Sequence, residues 1–378
     1  MSNCTIPRRT KPVFKLTAID DQEKFKLLPA PSGSYPYHLN IKSVLPEIDC
    51  DKMVFQMAGD TGGFQLPAIK HLVVSEMVKQ IDNTEDKINA PAFFFHLGDV
   101  VYNFGQSSEY YPQFFEPFKN YPGPVFAIPG NHDADLDLLD NIKTPSLQAF
   151  CKVFCSPTPT SLKIAGDSGR LSNIQPNVYW TLETPLANFI CLYGNVPRFG
   201  TITTEQKEWF SQELITAGKL KNEKAIIVCV HHSAYSADTN HGSSLRMQNF
   251  LNSAFEQTGV YPDIVFSGHV HNYQRFTKTY PNGKIVPFVI AGAGGYADLH
   301  RIASLNDPDF PDQSTLFNDV ILNNYCDDAH GFLQISIEKT TNSFMLNAKY
   351  ITIEIESEKD SRSAIFDSFS IDLLSKKR

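Results

Sequence analysis

Five short apolar runs in this sequence end in polar residues whose side chains could bind metal ions. With the residues that follow them, the runs read MVFQMAGDTGG, PAFFFHLGDVVY, GPVFAIPGNHD, KAIIVCVHHS and PDIVFSGHVHN. The polar residues at their ends are Asp60, Asp99, Tyr102, Asn131, His132, His231, His232, His269 and His271. Carboxylate, phenol, amide and imidazole groups suit a hard or borderline cation and require no thiolate. They are enough for two metal ions and too many for one tetrahedral site.

Each of these polar groups, taken singly, has an ordinary structural explanation. A single Gly-Asp is usually a turn, a lone His at a strand end is usually structural, and GNHD could be an Asx turn. The repetition at five strand ends favours a site, because open α/β sheets bind ligands at the carboxyl ends of their strands. Two metal ions about 3.5–4 Å apart would hold a phosphoryl group for in-line displacement and make hydroxide available near neutral pH.

The elements that must position these residues are strands and helices in alternation. Apolar runs of about five residues that end at Gly and polar residues predict strands buried on both faces. Helical segments are predicted over residues 66–81 and 203–214, the second with a capping box between Thr203 and Gln206. This alternation predicts an α/β domain. Residues 177–195 and 331–355 alternate with a period near two and predict antiparallel hairpins.

The composition excludes several classes of protein. The chain has 378 residues and is 42% hydrophobic, so it can bury a substantial core. Its formal net charge of −8 argues against a nucleic-acid-binding surface, which is normally basic. No apolar run approaches the roughly 20 residues that a membrane span needs.

The first fifty residues differ from the rest of the chain. They are polar and contain the stretch LLPAPSGSYPY, which predicts an arm or a small peripheral hairpin ahead of one domain at residues 51–378. They contain no apolar segment typical of an ordinary secretory signal. The seven cysteines show no spacing typical of a disulfide framework or a zinc ribbon. We therefore expect a reducing, cytoplasmic location.

The ordered motifs resemble those of the calcineurin-like metallophosphoesterase superfamily, and within it the purple acid phosphatase branch. The matching segments are GDTGG at 59–63, GDVVY at 98–102, GNHD at 130–133, VCVHH at 228–232 and GHVHNYQR at 268–275. The superfamily usually begins with Asp-x-His, whereas Gly62 stands at the third position here. The purple branch shares this absence and uses the Tyr of Gly-Asp-x-x-Tyr, which is Tyr102. The resemblance implies a four-layer αββα sandwich of two mixed sheets, with the site at the carboxyl ends of strands. The two hairpin segments after residue 177 would supply strands of the second sheet.

The resemblance also implies the two sets of metal ligands. Metal one would be held by Asp60, Asp99, Tyr102 and His271. Metal two would be held by Asp99 as the bridge, Asn131, His231 and His269. The spacing from Val228 selects His231 over His232. A phenolate ligand favours Fe(III) and gives the family its purple colour, and the second metal is Fe, Zn or Mn in relatives.

The implied reaction is hydrolysis of a small-molecule phosphate monoester by attack of a metal-bound hydroxide on phosphorus. His132 matches the family's substrate-contacting His, and His241 in TNHG matches a candidate general acid. His241 could instead cap a turn in an exposed loop. Asp133 could orient His132 or place its charge at a helix N-terminus. His96 is interpreted as a structural strand residue.

Two other functions stay open at this point. The same fold and metals could serve a phosphodiesterase that acts on nucleotides or lipid head groups. A non-catalytic binding scaffold could retain the fold, although a degenerate member should have lost some ligands and all seven positions are present here.

Overall fold

Two β-sheets packed face to face, with helices outside them, make up the described part of the chain. The computed structural model describes residues 7–15, 27–66, 68–137, 144–194, 202–310, 317–357 and 359–374. Both sheets combine parallel and antiparallel pairs. The predicted fold class, a sandwich of two mixed sheets flanked by helices, is confirmed.

One sheet has six strands in the described residues. They are β2 (Lys52–Ala58), β3 (Phe94–His96), β4 (Val125–Ala127), β12 (Gly331–Lys339), β13 (Phe344–Ser357) and β14 (Asp360–Asp372). Their order is β14-β13-β12-β2-β3-β4, and β2, β3 and β4 are parallel. These three strands are almost entirely buried, as the apolar runs predict. Because they are parallel, their carboxyl ends lie at one edge of the sheet.

The other sheet has eight strands in the described residues. They are β1 (His38–Asn40), β5 (Trp180–Glu183), β6 (Ala187–Leu192), β7 (Ala225–Val230), β8 (Ile264–Ser267), β9 (Tyr273–Thr279), β10 (Ile285–Ala291) and β11 (Val320–Cys326). Their order is β1-β5-β6-β7-β8-β10-β9-β11. The buried strands β7 and β8 are parallel neighbours, so their carboxyl ends also share one edge.

The described residues include six α-helices. They are α1 (Ala68–Asp82), α2 (Ser107–Tyr110), α3 (Asn131–Ala134), α4 (Gln148–Phe154), α5 (Thr204–Lys219) and α6 (Leu245–Thr258). Helix α1 contacts β13 and β14, while α5 contacts β6 and α6. Among the described residues, none of the helices combines the length and the apolar character needed to cross a membrane.

The start of α5 corrects one detail of the sequence interpretation. The Thr203 side chain accepts a hydrogen bond from the backbone N–H of Gln206, which is the first half of the predicted capping box. The Gln206 side chain does not complete the box, because it bonds both the N–H and the C=O of Tyr193 at 2.8 Å. A tertiary contact has replaced the local one.

Aromatic side chains fill the space between the two sheets. The ring of Phe189 in β6 lies 5.2 Å from the ring of Phe55 in β2 and 5.6 Å from that of Phe95 in β3, between centroids. Further along, Tyr273 in β9 stacks on Tyr350 in β13 at 4.0 Å. Such pairs add to the burial energy and fix the distance between the sheets. These contacts therefore hold the strand ends of one sheet at a fixed distance from those of the other.

Both predicted hairpins are present, but they belong to different sheets. Strands β5 and β6 pair antiparallel, as do β12 and β13. The sequence interpretation assigned both to the second sheet. In the structure β6 pairs with β7 in the eight-stranded sheet, whereas β12 pairs with β2 in the six-stranded sheet. Residue alternation reports local pairing and does not select the sheet that a hairpin joins.

Residues 27–50 pack on the domain as an edge strand and its flanks. Strand β1 pairs in parallel with β5. The indole N–H of Trp209 donates to the carbonyl of Pro36 at 2.8 Å, and the N–H of Gly33 donates to Pro176 at 2.9 Å. This segment forms no hairpin of its own. Residues 1–6 and 16–26 lie outside the described residues, and the domain boundary at residue 51 stays a prediction.

Candidate metal centre

The carboxyl ends of five parallel strands, from both sheets, meet at one edge of the sandwich. The loops after β2 and β3 carry Asp60 and Asp99, and Asn131 begins α3 after β4. The loops after β7 and β8 carry His231 and His269. The backbone N–H of His269 donates to Asp60 Oδ2 at 2.9 Å, and His231 Nε2 lies 3.2 Å from Asn131 Oδ1. The two sheets thus place oxygen and nitrogen donors side by side in the interior.

Asp60, Tyr102 and His271 form one group of donors. The Tyr102 hydroxyl donates to Asp60 Oδ1 at 3.0 Å and lies 2.9 Å from His271 Nε2. His271 Nδ1 lies 2.9 Å from the carbonyl oxygen of Asp298, which directs Nε2 toward the tyrosine. All three side chains are buried. These are three of the four residues expected at metal one.

Asp99, Asn131, His231 and His269 form the second group. His231 Nε2 lies 3.3 Å from Asp99 Oδ2, while its Nδ1 lies 2.8 Å from the carbonyl oxygen of Leu97. One donor atom from each of Asp99, His231 and His269 falls within 4.8 Å of the other two. His269 Nε2 is buried without a hydrogen-bond partner among the described residues. An unpartnered buried imidazole nitrogen beside a carboxylate fits a metal ligand.

The backbone at three of these residues is strained. Asp60, Asp99 and His269 adopt φ angles of 59°, 53° and 67°, in the left-handed region. The conformation costs roughly 1–2 kcal/mol at a residue with a Cβ, and such strain concentrates at functional sites. Close packing fixes the same loops, because a Cβ on Gly130 would lie 2.1 Å from Asp99 Oδ1. The fold therefore holds these side chains in place by its backbone.

Asp133 ties two of the loops together. Its carboxylate accepts the backbone N–H groups of Gly130 at 2.9 Å and of Val100 and Val101 at 3.2 Å. It therefore acts at the N-terminus of α3 and bonds backbone amides. The ring of His132 has a different contact, 3.2 Å from its Nδ1 to the carbonyl oxygen of Asn103.

The structure places His231, His232 and His96 in different environments. His231 faces Asp99 and Asn131, whereas the neighbouring His232 packs its ring 4.6 Å from the ring of His269. Both nitrogens of His232 are buried without a partner among the described residues. His96 is engaged on both sides: its Nε2 lies 2.8 Å from Thr61 Oγ1, and its Nδ1 accepts from the N–H of Gly98. This is the structural role expected for His96.

The two candidate catalytic histidines flank the centre. The backbone N–H of His132 donates to Asp99 Oδ1 at 2.8 Å, and its ring lies 4.4 Å from the ring of Tyr102. The ring of His241 stacks on that of His269 at 4.1 Å. Both side chains are half-buried, so they lie between the interior donors and solvent.

Burial and mutual charge shape the protonation of these groups. Burial and the nearby Asp99 raise the pKa of Asp60 well above its usual range. Burial and neighbouring imidazoles lower the pKa values of His269 and His271 well below their usual range, which favours the neutral, metal-binding form. Burial opposes protonation of His231 too, but Asp99 outweighs it and raises the pKa of His231 to about 9. The ionised carboxylate of Asp99, beside the neutral rings of His269 and His271, fits a cation that would balance its charge.

Four supporting residues were not found from the sequence. Gln113 Oε1 accepts the N–H of Tyr102 at 2.8 Å, and Tyr296 stacks on the Tyr102 ring at 4.0 Å. His300 stacks on the ring of His271 at 4.1 Å and lies 3.4 Å from the buried carboxylate of Asp238. Only Tyr296 has a signal in the sequence, because it ends the glycine-rich stretch AGAGGY at residues 291–296.

Comparison with protein families gives a match over most of the site. The family model described as calcineurin-like phosphoesterase matches residues 53–273. This range is more than half of the chain and includes the candidate ligands in both groups.

The chain is also similar to two plant proteins and to one solved structure. The chain is 24% identical over 280 residues to purple acid phosphatase 15 of Arabidopsis thaliana, covering 65% of this chain and 48% of that protein. Purple acid phosphatase 21 of the same plant is 28% identical over 124 residues, 32% of this chain and 27% of that one. The chain thus spans about half or less of the length of these relatives. GAP50, titled the anchor in the inner membrane complex of Plasmodium, superposes with a TM-score of 0.54 at 13% identity, over 85% of this chain and 89% of that chain. This last likeness concerns the fold alone.

Proposed function

The chain belongs to the calcineurin-like phosphoesterase family, and we propose that it hydrolyses phosphate monoesters at a centre of two metal ions. The observation that carries the proposal is the position of the Tyr102 hydroxyl between Asp60 and His271. A Cβ on Gly62 would lie 2.9 Å from the Tyr102 ring, so a larger side chain at position 62 and this tyrosine compete for space. The exchange of His for Tyr that marks the purple branch is thus physically consistent in this chain.

Metal one would be held by Asp60, Asp99, Tyr102 and His271, and we assign Fe(III) to it. Burial and the carboxylate of Asp60 raise the pKa of Tyr102 well above its usual range. A phenolate at this position therefore needs a strongly charged cation to form. Fe(III) meets that requirement better than a divalent ion does.

Metal two would be held by Asn131, His231 and His269, with Asp99 shared between the two ions. Its donors are an amide, imidazoles and a carboxylate, which suit divalent Fe, Zn or Mn. When bound, the two ions would lower the pKa of a water molecule and act as Lewis acids on the phosphate oxygens.

The two half-buried histidines complete the proposed mechanism. His132 would contact the phosphate oxygens, because its backbone is fixed to Asp99 and its ring lies beside Tyr102. His241 would donate a proton to the departing oxygen, which leaves poorly as an alkoxide. A monoester presents three non-bridging oxygens to these groups and to the metals.

Rates on a monoester and a diester with the same leaving group test the proposal. We expect kcat/KM for p-nitrophenyl phosphate to exceed that for bis(p-nitrophenyl) phosphate by at least about tenfold. The reverse preference would support the phosphodiesterase. A protein that holds its metal ions and hydrolyses neither compound would support the binding scaffold.

A further inference from the structure

Residues 7–15 lie across two loops that border the candidate metal centre. We call residues 236–243 the His241 loop and residues 296–305 the His300 loop. The two loops are hydrogen-bonded to each other. The N–H of Ala303 donates to the carbonyl of Ala237 at 2.8 Å, and the N–H of Thr239 donates to the carbonyl of Arg301 at 2.9 Å. Any segment that holds one loop therefore also restrains the other.

The His241 loop is bonded on both sides to Val13. The N–H of Val13 donates to the carbonyl of Ser236 at 2.8 Å, and the N–H of Ser243 donates to the carbonyl of Val13 at 2.7 Å. The ammonium group of Lys15 donates to the carbonyl of Asn240 at 3.2 Å. Residues 7–15 thus pair with the loop at both ends of its turn.

The turn inside this loop is built around the buried carboxylate of Asp238. It accepts the N–H groups of Asn240, His241 and Gly242, each at 2.9 Å. Burial opposes ionisation of Asp238, but hydrogen bonding to His300 and the charge of His241 lower its pKa below its usual range. This turn presents the His241 ring to His269, so its position controls the position of His241.

Arg9 bonds the His300 loop at several points. The backbone N–H of Arg9 donates to Ala303 at 2.9 Å, and its guanidinium donates to the carbonyls of Ser304, Leu305 and Phe310. An arginine that donates to several carbonyls fixes the path of the chain around it.

Apolar packing supports the same contact. The side chains of Val13, Ala303 and Phe310 are buried in a small cluster separate from the main core. This cluster joins residues 7–15 to the His300 loop by its own side chains, in addition to the hydrogen bonds.

We propose that residues 7–15 are a positioning strap that holds the His241 loop against the metal centre, so that His241 reaches the leaving group. The role of His241 rests on the proposed function, whereas the restraint of the loop does not. The strap acts through Arg9 and Val13, so residues ahead of position 51 help to place His241.

Substrates with different leaving groups separate positioning of His241 from general stability. Arg9→Ala removes the guanidinium contacts, and Val13→Pro removes the N–H that bonds Ser236. We expect both variants to lose about tenfold in kcat on an alkyl phosphate, whose departing oxygen needs a proton. On 2,4-dinitrophenyl phosphate, whose leaving group is stable as an anion, we expect less than about a twofold change.

Two further variants sharpen the result. Lys11→Ala is the matched control, because Lys11 donates to Asn318, which lies outside both loops, and its rates should match the wild type. Arg9→Lys should recover part of the loss on the alkyl phosphate. Equal rates of Arg9→Ala and wild type on the alkyl phosphate would overturn the strap, as would equal losses on both substrates.

Hydrogen exchange tests the strap independently of any activity. The amides of residues 238–244 should exchange faster in Arg9→Ala than in the wild type. Their exchange rates in Lys11→Ala should equal those of the wild type. An inactive wild type that shows this difference would refute the proposed function and keep the strap. An active wild type without the difference would refute the strap alone.

Discussion

The six-stranded sheet supplies the candidate centre with oxygen donors, whereas the eight-stranded sheet supplies it with imidazoles. We call the first set the oxygen wall: Asp60, Asp99, Tyr102 and Asn131. We call the second set the imidazole wall: His231, His269 and His271. In the oxygen wall the carboxylate of Asp99 carries the negative charge, while His269 and His271 of the imidazole wall favour the neutral form and add directed ligands. Charge and geometry are therefore supplied by different sheets.

The two walls are also fixed by largely different means. The oxygen wall is fixed by its backbone, through left-handed residues and the amides that bond Asp133. In the imidazole wall, Nδ1 of His231 and Nδ1 of His271 each lie against a carbonyl oxygen, and His269 is left-handed like Asp60 and Asp99. One of these carbonyls, that of Leu97, directly follows β3 of the six-stranded sheet and bonds His231. This bond joins the two walls. Because the oxygen wall contains the proposed bridging carboxylate, a substitution there should lower metal binding and activity more than one in the imidazole wall.

The largest effect should follow from Asp99→Asn, which removes the proposed bridging carboxylate. We expect fewer than one metal ion per chain and a loss of about a thousandfold in kcat. The matched change in the imidazole wall, His231→Asn, should leave about one ion per chain, because it removes a ligand of one metal only. Atomic emission and steady-state rates measure both quantities. Two ions retained in Asp99→Asn would show that the bridge is assigned to the wrong residue.

A smaller effect is expected from crowding the oxygen wall without changing a ligand. Gly130→Ala places a Cβ 2.1 Å from Asp99 Oδ1, so the carboxylate must move. We expect lost metal and about a hundredfold lower kcat. The control is Gly259→Ala in the C-cap of α6, where φ is 66° and no atom lies within 4 Å of the added Cβ. That change should lower the free energy of unfolding by about 1 kcal/mol and leave kcat unchanged. Equal activity of the two variants would contradict the close packing around Asp99.

The candidate ligands could be found from the sequence because each follows a short apolar strand. Asp60, Asn131 and His269 all stand where a buried run stops, and such ends meet in any sheet with parallel strands. The resemblance then ordered them into two groups. Their proximity in the structure agrees with that grouping, while their roles as ligands stay a prediction.

The supporting residues could not be found in this way. Gln113 and His300 lie outside the strands, and no local sequence pattern predicts their contacts with Tyr102 and His271. Two strands were also not predicted. Strand β1 has only three residues, and the residues of β14 are mostly exposed and polar. Local patterns describe the strands, and tertiary contacts decide what surrounds their ends.

A histidine away from the centre shows what an imidazole does when carboxylates surround it. His38 in β1 lies 2.9 Å from Glu183 Oε1 and 2.8 Å from Glu213 Oε2. These hydrogen bonds outweigh burial and raise the pKa of His38 to about 9. Its pKa in the unfolded chain is about 6.5. The stabilisation is therefore complete below about pH 6.5 and is lost as the pH rises through about 9.

Removing the contacts between His38 and the two glutamates should have the smallest effect of these substitutions. His38→Gln should lower the free energy of unfolding by about 1 kcal/mol at pH 6 and by much less at pH 10. Urea unfolding at the two pH values measures the difference, and kcat should not change. An equal loss at both pH values would show that His38 stabilises the fold without its charge.

The visible spectrum of the iron-loaded protein tests the two-walled centre most directly. We expect an absorption band from the Tyr102 phenolate, its loss in Tyr102→Phe, and its retention in Tyr296→Phe, whose ring stacks on Tyr102 at 4.0 Å. A band that persists in Tyr102→Phe, or a colourless, iron-free protein with full activity, would contradict the account.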